Sequence, residues 1–143
     1  MAACSGTDVL NGFAPRNGIV ARRDLAGVIG ISGPYDFLPL GTEELRAIFA
    51  PAQPLSVSQP INHANNQMPP VLLLTSTQDM MVLPRNSYHL ADAIRGKDGD
   101  VTEKIYPGLN HAMALGAIAA PLTFLAPVQK DVVEFVAGHE KAK

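Results

Sequence analysis

The alternation of short apolar segments with helical segments constrains the fold of this chain most strongly. The clearest apolar segment, Val-Leu-Leu-Leu-Thr over residues 71–75, is typical of a strand buried on both faces. A second such strand is predicted at 26–32. A third, partly alternating and so nearer a sheet edge, is predicted at 101–106. Strands that alternate with helices form parallel sheets with right-handed crossovers. The sequence therefore predicts an α/β fold with about three parallel strands and flanking helices.

Three helices are predicted between and after these strands, over residues 42–49, 84–95 and 127–137. Thr42 suits the N-cap of the first helix, and Gly138 suits the position just after the last. Apolar residues at three- and four-residue spacing predict the buried faces of the second and third helices. These residues are Tyr88, Ala91, Ile94, Val128, Val132, Phe135 and Val136.

Two further segments have a distinctive composition. The segment 50–70 contains five prolines and predicts an extended, ordered loop. The segment 112–128 carries no charge, but it contains two prolines and is dominated by alanine and glycine. A membrane span needs about 20 strongly apolar residues. We therefore expect a buried loop and helix there, and no membrane span.

Composition excludes several classes of protein. An apolar fraction of 47% with 17% charged residues is typical of a globular chain. Eleven basic and 13 acidic residues give a net charge of -2 without a basic stripe, so no nucleic-acid partner is predicted. The single cysteine, Cys4, excludes an intrachain disulfide and a cysteine-based zinc site. We predict no cofactor and no metal. The first residues lack the pattern of a signal peptide, so the compartment is left open, with the cytoplasm as the default.

Polar residues follow each predicted strand, and two of them suit catalysis. Asp79 follows the second strand and His111 follows the third. Because the carboxyl ends of parallel strands lie at one edge of the sheet, we expect these side chains to come within hydrogen-bond range. A carboxylate so placed fixes the imidazole tautomer and stabilises the imidazolium that forms on proton abstraction. The residues alone leave alternatives open: Asp79 could be a turn cap and His111 a solvated loop residue. Asp36, after the first strand, could serve as an acid, although a turn cap is the better interpretation.

Four motifs carry a resemblance to a known family. They are Gly-Ile-Ser-Gly-Pro-Tyr-Asp over 30–36, Leu-Leu-Leu-Thr-Ser-Thr-Gln-Asp over 72–79, Tyr-Pro-Gly-Leu-Asn-His over 106–111 and Asp-Val-Val-Glu-Phe over 131–135. The chain resembles the alpha/beta-hydrolase family, and most closely its bacterial carboxylesterase and lipase-like members. The resemblance covers only the last part of that fold, so an incomplete sheet is expected. It implies a partial domain over 1–143, irregular over 1–23 and family-like over 24–138.

The resemblance implies that Asp79 is the catalytic acid and His111 the catalytic histidine, in the family's chain order. The chain departs from the family at Thr75, Ser76 and Gln78, where the family often has His-Gly and a second aspartate. It also contains no Gly-x-Ser-x-Gly nucleophile elbow, and Ser32 in Gly-Ile-Ser-Gly-Pro follows the wrong strand for one. The nucleophile is therefore expected upstream of this sequence.

The sequence thus predicts the C-terminal part of a serine hydrolase of carboxylic esters, inactive alone, which would act on a small-molecule ester once complete. A serine peptidase or amidase of the same fold is one alternative. A non-catalytic remnant that binds or oligomerises is another. The apolar strand at 26–32 is typical of an internal strand that pairs on both sides. Its exposed edge is therefore expected to pair with a second copy of the chain or with the upstream half. The glycines at 27, 30 and 33 do not fit the dinucleotide-binding spacing.

Overall fold

The computed structural model describes residues 24–51, 54–119 and 121–140. Strands and helices alternate along these residues. In chain order they are β1 (Val28–Ile31), α1 (Glu43–Phe49), β2 (Val71–Ser76), α2 (Arg85–Arg95), β3 (Val101–Tyr106), α3 (His111–Gly116) and α4 (Val128–His139). The predicted irregular segment 1–23, including Cys4, lies outside the described residues.

The described strands form one parallel sheet in the order β1–β2–β3. Val71 of β2 pairs with Val28 of β1 on one side and with Val101 of β3 on the other. All six residues of the central strand β2 are buried, as its unbroken apolar sequence requires. Within the described residues, β1 and β3 each pair on one side only. The predicted α/β class, with parallel strands, flanking helices and an open sheet, is confirmed.

Successive residues of β2 point to opposite faces of the sheet, and each face has its own core. One core joins Leu73 of β2 to α2 through Leu90, Ala91 and Ile94. The other core joins β2 to the segments after β3 and to α4; its buried residues are Leu72, Leu74, Tyr106, Leu109, Ala117, Val128 and Phe135. Helices therefore cover both faces of the sheet, and the residues that follow β2 and β3 emerge at its carboxyl edge.

The segment 50–70 differs from its prediction as an extended loop. It contains two turns of 3₁₀-helix, Leu55–Ser58 and Pro60–His63. Pro60 occupies the first position of the second turn, where its missing N–H leaves no hydrogen bond unmade. Prolines in this segment therefore start helical turns rather than only extending the chain.

Two helices differ from prediction in detail. On α2, Tyr88 was expected on the buried face but is only half-buried. The preceding residue, Ser87, is buried instead, so the buried face begins one residue earlier than predicted. On α4, Phe135 is buried but Val136 is 43% exposed, because the next residue on a helix is turned by roughly 100°. Gly138 does not end α4, which continues to His139. A glycine ends a helix by adopting positive φ, and Gly138 does not do so.

The charge-free segment 112–128 divides into α3, a short 3₁₀ turn at Leu122–Phe124 and the start of α4. No helix within the described ranges is both long enough and apolar enough to cross a bilayer.

Candidate active site

Asp79 and His111 meet at the carboxyl edge of the sheet. Asp79 Oδ2 lies 2.7 Å from His111 Nδ1. The Asp79 side chain is fully buried and that of His111 is 20% exposed. The carboxylate is thus withdrawn from solvent while one edge of the imidazole remains accessible, as proton transfer to a reacting group requires.

Backbone contacts between the two loops hold this pair together. Thr77 N donates to Tyr106 O at 3.1 Å, and Gln78 N donates to Leu109 O at 3.2 Å. Gly108 N donates to Thr77 Oγ1 at 3.1 Å. Gly108 has φ 78°, a conformation that glycine adopts without steric cost. The β2–β3 pairing is thus continued beyond the strands, and the loop after β3 lies against the loop that carries Asp79.

The start of α3 fixes the position of His111. Asn110 is the N-cap, and its Oδ1 accepts a hydrogen bond from Met113 N at 2.9 Å. His111 is the first residue of the helix. Its backbone is therefore held by the cap on one side and by the helix on the other, so that only its side-chain torsions remain to be set by Asp79.

The second carboxylate oxygen of Asp79 binds the turn that follows it. Asp79 Oδ1 accepts hydrogen bonds from Met81 N at 3.0 Å and from Val82 N at 2.8 Å. Burial alone would raise the pKa of this carboxyl. The hydrogen bonds from Val82, His111 and Met81, with the charge of the imidazolium, outweigh burial and hold the pKa of Asp79 below its ordinary value.

The ionised state of Asp79 determines the tautomer of His111. A carboxylate only accepts hydrogen bonds, so Nδ1 carries the proton in the contact with Asp79. In the neutral ring, Nε2 is then the basic nitrogen. The same residue acts as a turn cap and orients the histidine, so the two interpretations that the sequence left open for Asp79 are compatible. The catalytic roles of Asp79 and His111 stay predictions.

A cleft of about 460 Å³, here called the His111 cleft, adjoins the imidazole. One wall is the end of β1 and the residues after it, 29–35, and the other contains Val82, His111 and Leu115. Ser32 lies in this wall with φ 45° and is 3% exposed. Among the described residues its hydroxyl has no hydrogen-bond partner.

Asp36, the other carboxylate considered from the sequence, pairs with a different histidine. Asp36 contacts His89 on the surface, with 2.6 Å between Oδ2 and Nδ1. The described part of the chain holds no group of three or more histidine, cysteine, aspartate or glutamate side chains that could bind a metal ion.

Two buried amide side chains, which no sequence motif marks, hold the backbone that follows β1. Asn86 Oδ1 accepts hydrogen bonds from Tyr35 N at 3.0 Å and Asp36 N at 2.8 Å. Gln59 Oε1 accepts one from Phe37 N at 2.7 Å. Both are side-chain contacts to backbone far away in sequence, and no local pattern signals them. A polar residue on the buried stripe of α2 was the one available indication for Asn86.

A model of the prolyl oligopeptidase family matches residues 39–136, which is more than half of the chain and includes both Asp79 and His111. The chain belongs to the prolyl oligopeptidase family. This family has the alpha/beta-hydrolase fold, and the resemblance identified from the sequence is confirmed. A comparison with curated proteins gives no match.

Solved structures support the fold of this prolyl oligopeptidase family member. A carboxylesterase from Lactobacillus plantarum WCFS1 aligns over 92% of the chain and 52% of its own length, with 12% identity and a TM-score of 0.68. A thermophilic esterase from Thermogutta terrifontis, with propionate bound, aligns over 84% of the chain and 46% of its own length, with 16% identity and a TM-score of 0.58.

A truncated carbohydrate esterase from gut microbiota aligns over 59% of the chain and 27% of its own length, with 21% identity and a TM-score of 0.50. The chain thus spans between about a quarter and a half of the length of these three proteins.

Proposed function

We propose that the chain carries the acid and histidine of a hydrolase that cleaves carboxylic esters. Asp79 is the orienting acid and His111 the general base. The observation that carries this proposal is the 2.7 Å contact between Asp79 Oδ2 and His111 Nδ1, which leaves Nε2 as the basic nitrogen at the edge of a cleft.

In the proposed reaction, Nε2 of His111 takes the proton of an attacking hydroxyl as its oxygen forms a bond to the ester carbonyl carbon. The imidazolium that results is stabilised by the Asp79 carboxylate. It then gives the proton to the leaving alcohol oxygen as the ester C–O bond breaks, which leaves an acyl-enzyme. Water then repeats the cycle: His111 takes a proton from water as the water oxygen bonds to the acyl carbon. His111 returns that proton to the nucleophile oxygen as the acyl–oxygen bond breaks, which releases the acid and restores the nucleophile.

The nucleophile belongs, in this proposal, to polypeptide upstream of the sequence given. The 143 residues contain no Gly-x-Ser-x-Gly motif. The His111 cleft runs along the end of β1, whose outer edge has no strand partner among the described residues. A parallel strand added there would end beside the cleft, which is where a serine must lie to reach Nε2. The chain aligns with only 52% and 46% of the length of two solved esterases, which supports a nucleophile located outside these 143 residues.

An ester is favoured over a peptide by the neighbouring structures, two of which are described as esterases and one as a carbohydrate esterase. The propionate bound to the Thermogutta terrifontis protein suggests a small acyl group. Hydrolysis of a peptide bond is the second candidate, because the family to which the chain belongs is named for oligopeptidases. Both reactions use the same acid and base.

The test is to extend the chain at its N-terminus with the polypeptide encoded upstream in the same reading frame and to assay p-nitrophenyl propionate. We expect hydrolysis by the extended protein and a loss of at least about a hundredfold in kcat in its His111→Ala variant. A matched substitution at the surface pair, His89→Ala, should leave kcat unchanged. Equal rates for the parent and His111→Ala would contradict the proposal. Faster turnover of a prolyl p-nitroanilide would favour the peptidase.

A further inference from the structure

We propose that Ser32 binds the alcohol portion of the ester, with its hydroxyl hydrogen-bonded to the alcohol oxygen in front of His111. This inference rests on the proposed function and adds to it a residue that selects and positions the leaving group. Ser32 itself does not fit the nucleophile motif.

Two features of Ser32 call for an explanation: a buried hydroxyl without a hydrogen-bond partner among the described residues, and a left-handed backbone conformation. Its side chain is buried, with 3% exposure for the residue. Its hydroxyl has no hydrogen-bond partner among the described residues. Its backbone has φ 45°, in the left-handed region that serine seldom adopts. Each feature costs folding free energy, and such costs are typical of residues retained for binding or catalysis.

Ser76 provides the internal comparison. It too is buried at the end of a strand, with a hydroxyl that has no partner within the described ranges. Ser76 does not line the His111 cleft, whereas Ser32 does. A substitution at Ser76 therefore shows the effect of removing a buried, unpartnered hydroxyl alone. A substitution at Ser32 removes such a hydroxyl from a residue that lines the cleft.

The chemistry of the reaction indicates which group Ser32 faces. When the acyl-enzyme forms, the alcohol oxygen must lie at hydrogen-bond distance from Nε2 to receive its proton. Ser32 and His111 line the same cleft, so a hydroxyl held between them can accept from one and donate to the other. The remaining walls include Ile29, Val82 and Leu115, which suit the alkyl part of a short alcohol.

The test uses the 143-residue chain, labelled with ¹⁵N and titrated with n-butanol while the Ser32 amide and His111 ring signals are followed by NMR. We expect both sets of signals to shift along one saturable curve. Loss of one neutral hydrogen bond in Ser32→Ala should raise the Kd about twofold to tenfold. Ser76→Ala should leave the Kd unchanged. Ser32→Gly, which also relieves the strain of the positive φ, should have the same Kd as Ser32→Ala. It replaces the alanine variant in this experiment if that variant folds poorly.

A second readout separates a binding role from a structural one. Because the hydroxyl of Ser32 has no partner in the described structure, its removal should leave the Tm equal or higher. A clear fall in Tm for both Ser32 variants would show a structural hydrogen bond and overturn the proposal. An unchanged Kd, or no butanol shift at His111, would overturn it as well. These results do not depend on ester turnover, so a failure of Ser32 to bind alcohol is distinguishable from a failure of the proposed hydrolase.

Discussion

At the scale of single residues, Asp79 combines two contacts that hold each other in place. Its Oδ1 caps the turn through Met81 N and Val82 N, and this fixes the direction of Oδ2 toward His111. The carboxylate is therefore oriented before any substrate binds. In the proposed reaction, preorganisation of this kind would lower the cost of forming the imidazolium.

Acid should unfold the chain partly through Asp79. Its pKa is lower in the folded chain than in the unfolded chain, so the unfolded chain binds the proton more tightly. The stabilisation is complete above the unfolded value of about 4 and is lost as the pH falls through the folded value. Asp79→Asn should cost about 1.5–3 kcal/mol in the free energy of unfolding at pH 7, and less at pH 3. Urea unfolding at both pH values measures this.

The matched control for this prediction is Asp36→Asn. Asp36 also contacts a histidine, His89, but both side chains are substantially exposed, at 32% and 50%. Exposed ion pairs contribute about 0–1 kcal/mol, so this variant should differ little from the parent at either pH. A cost for Asp79→Asn that is the same at pH 3 and pH 7 would contradict the assigned role of the carboxylate.

Some side-chain contacts could be predicted from the sequence and others could not. The meeting of Asp79 and His111 was predictable because parallel strands bring their following loops to one edge. The contacts of Asn86 with Tyr35 and Asp36 were not, because they join residues about 50 positions apart without any repeating pattern. The positive φ of Ser32 was also invisible, since the usual signal for such a conformation is glycine, aspartate or asparagine.

At the scale of elements, β1 depends on the close approach of an aromatic ring. The Tyr35 ring packs where side chains on Gly30 and Gly33 would stand. Gly27 likewise makes room for Phe135 of α4. The regular spacing of these three glycines does not fit a nucleotide-binding loop. It is explained by the packing of Tyr35 and Phe135 against β1 and the residues on either side of it.

Gly30→Ala should destabilise the chain by about 1–3 kcal/mol, because the new methyl group would overlap the Tyr35 hydroxyl and crowd Leu73. Adding Tyr35→Phe, which removes that hydroxyl, should recover part of the loss. Gly41→Ala is the control: its methyl group meets open space, so the change should stay within about 0.5 kcal/mol. Urea midpoints compare the variants. Equal midpoints for Gly30→Ala and Gly41→Ala would contradict this packing.

The sequence located the elements better than it located their ends. The alternation of strands and helices was predictable because burial on both sheet faces demands apolar segments such as β2. The N-cap of α1 was predictable from Thr42, whose Oγ1 accepts from Leu45 N. The end of α4 was not, because glycine ends a helix only when it adopts positive φ, and Gly138 does not. The two 3₁₀ turns between α1 and β2 were not predictable either, because such short turns have a weaker sequence pattern than an α-helix.

At the scale of the whole molecule, the sheet presents an open edge at β1, which pairs only with β2 in the described structure. The unpaired edge of an apolar strand exposes backbone N–H and C=O groups, which favours pairing with another polypeptide. In our proposal that polypeptide is the upstream half, and the strand that it adds brings the nucleophile to the His111 cleft. A second copy of the chain is the alternative occupant.

Intact-mass measurement of the purified 143-residue chain after treatment with a fluorophosphonate shows whether the chain itself contains an activated serine. Such a reagent modifies a serine that a histidine activates. Our account predicts an unmodified mass for this chain, and a single adduct on the upstream serine when the N-terminally extended protein is treated under the same conditions. A stoichiometric adduct on a serine of the 143-residue chain itself, lost in His111→Ala, would show that the nucleophile is already present and would contradict the account.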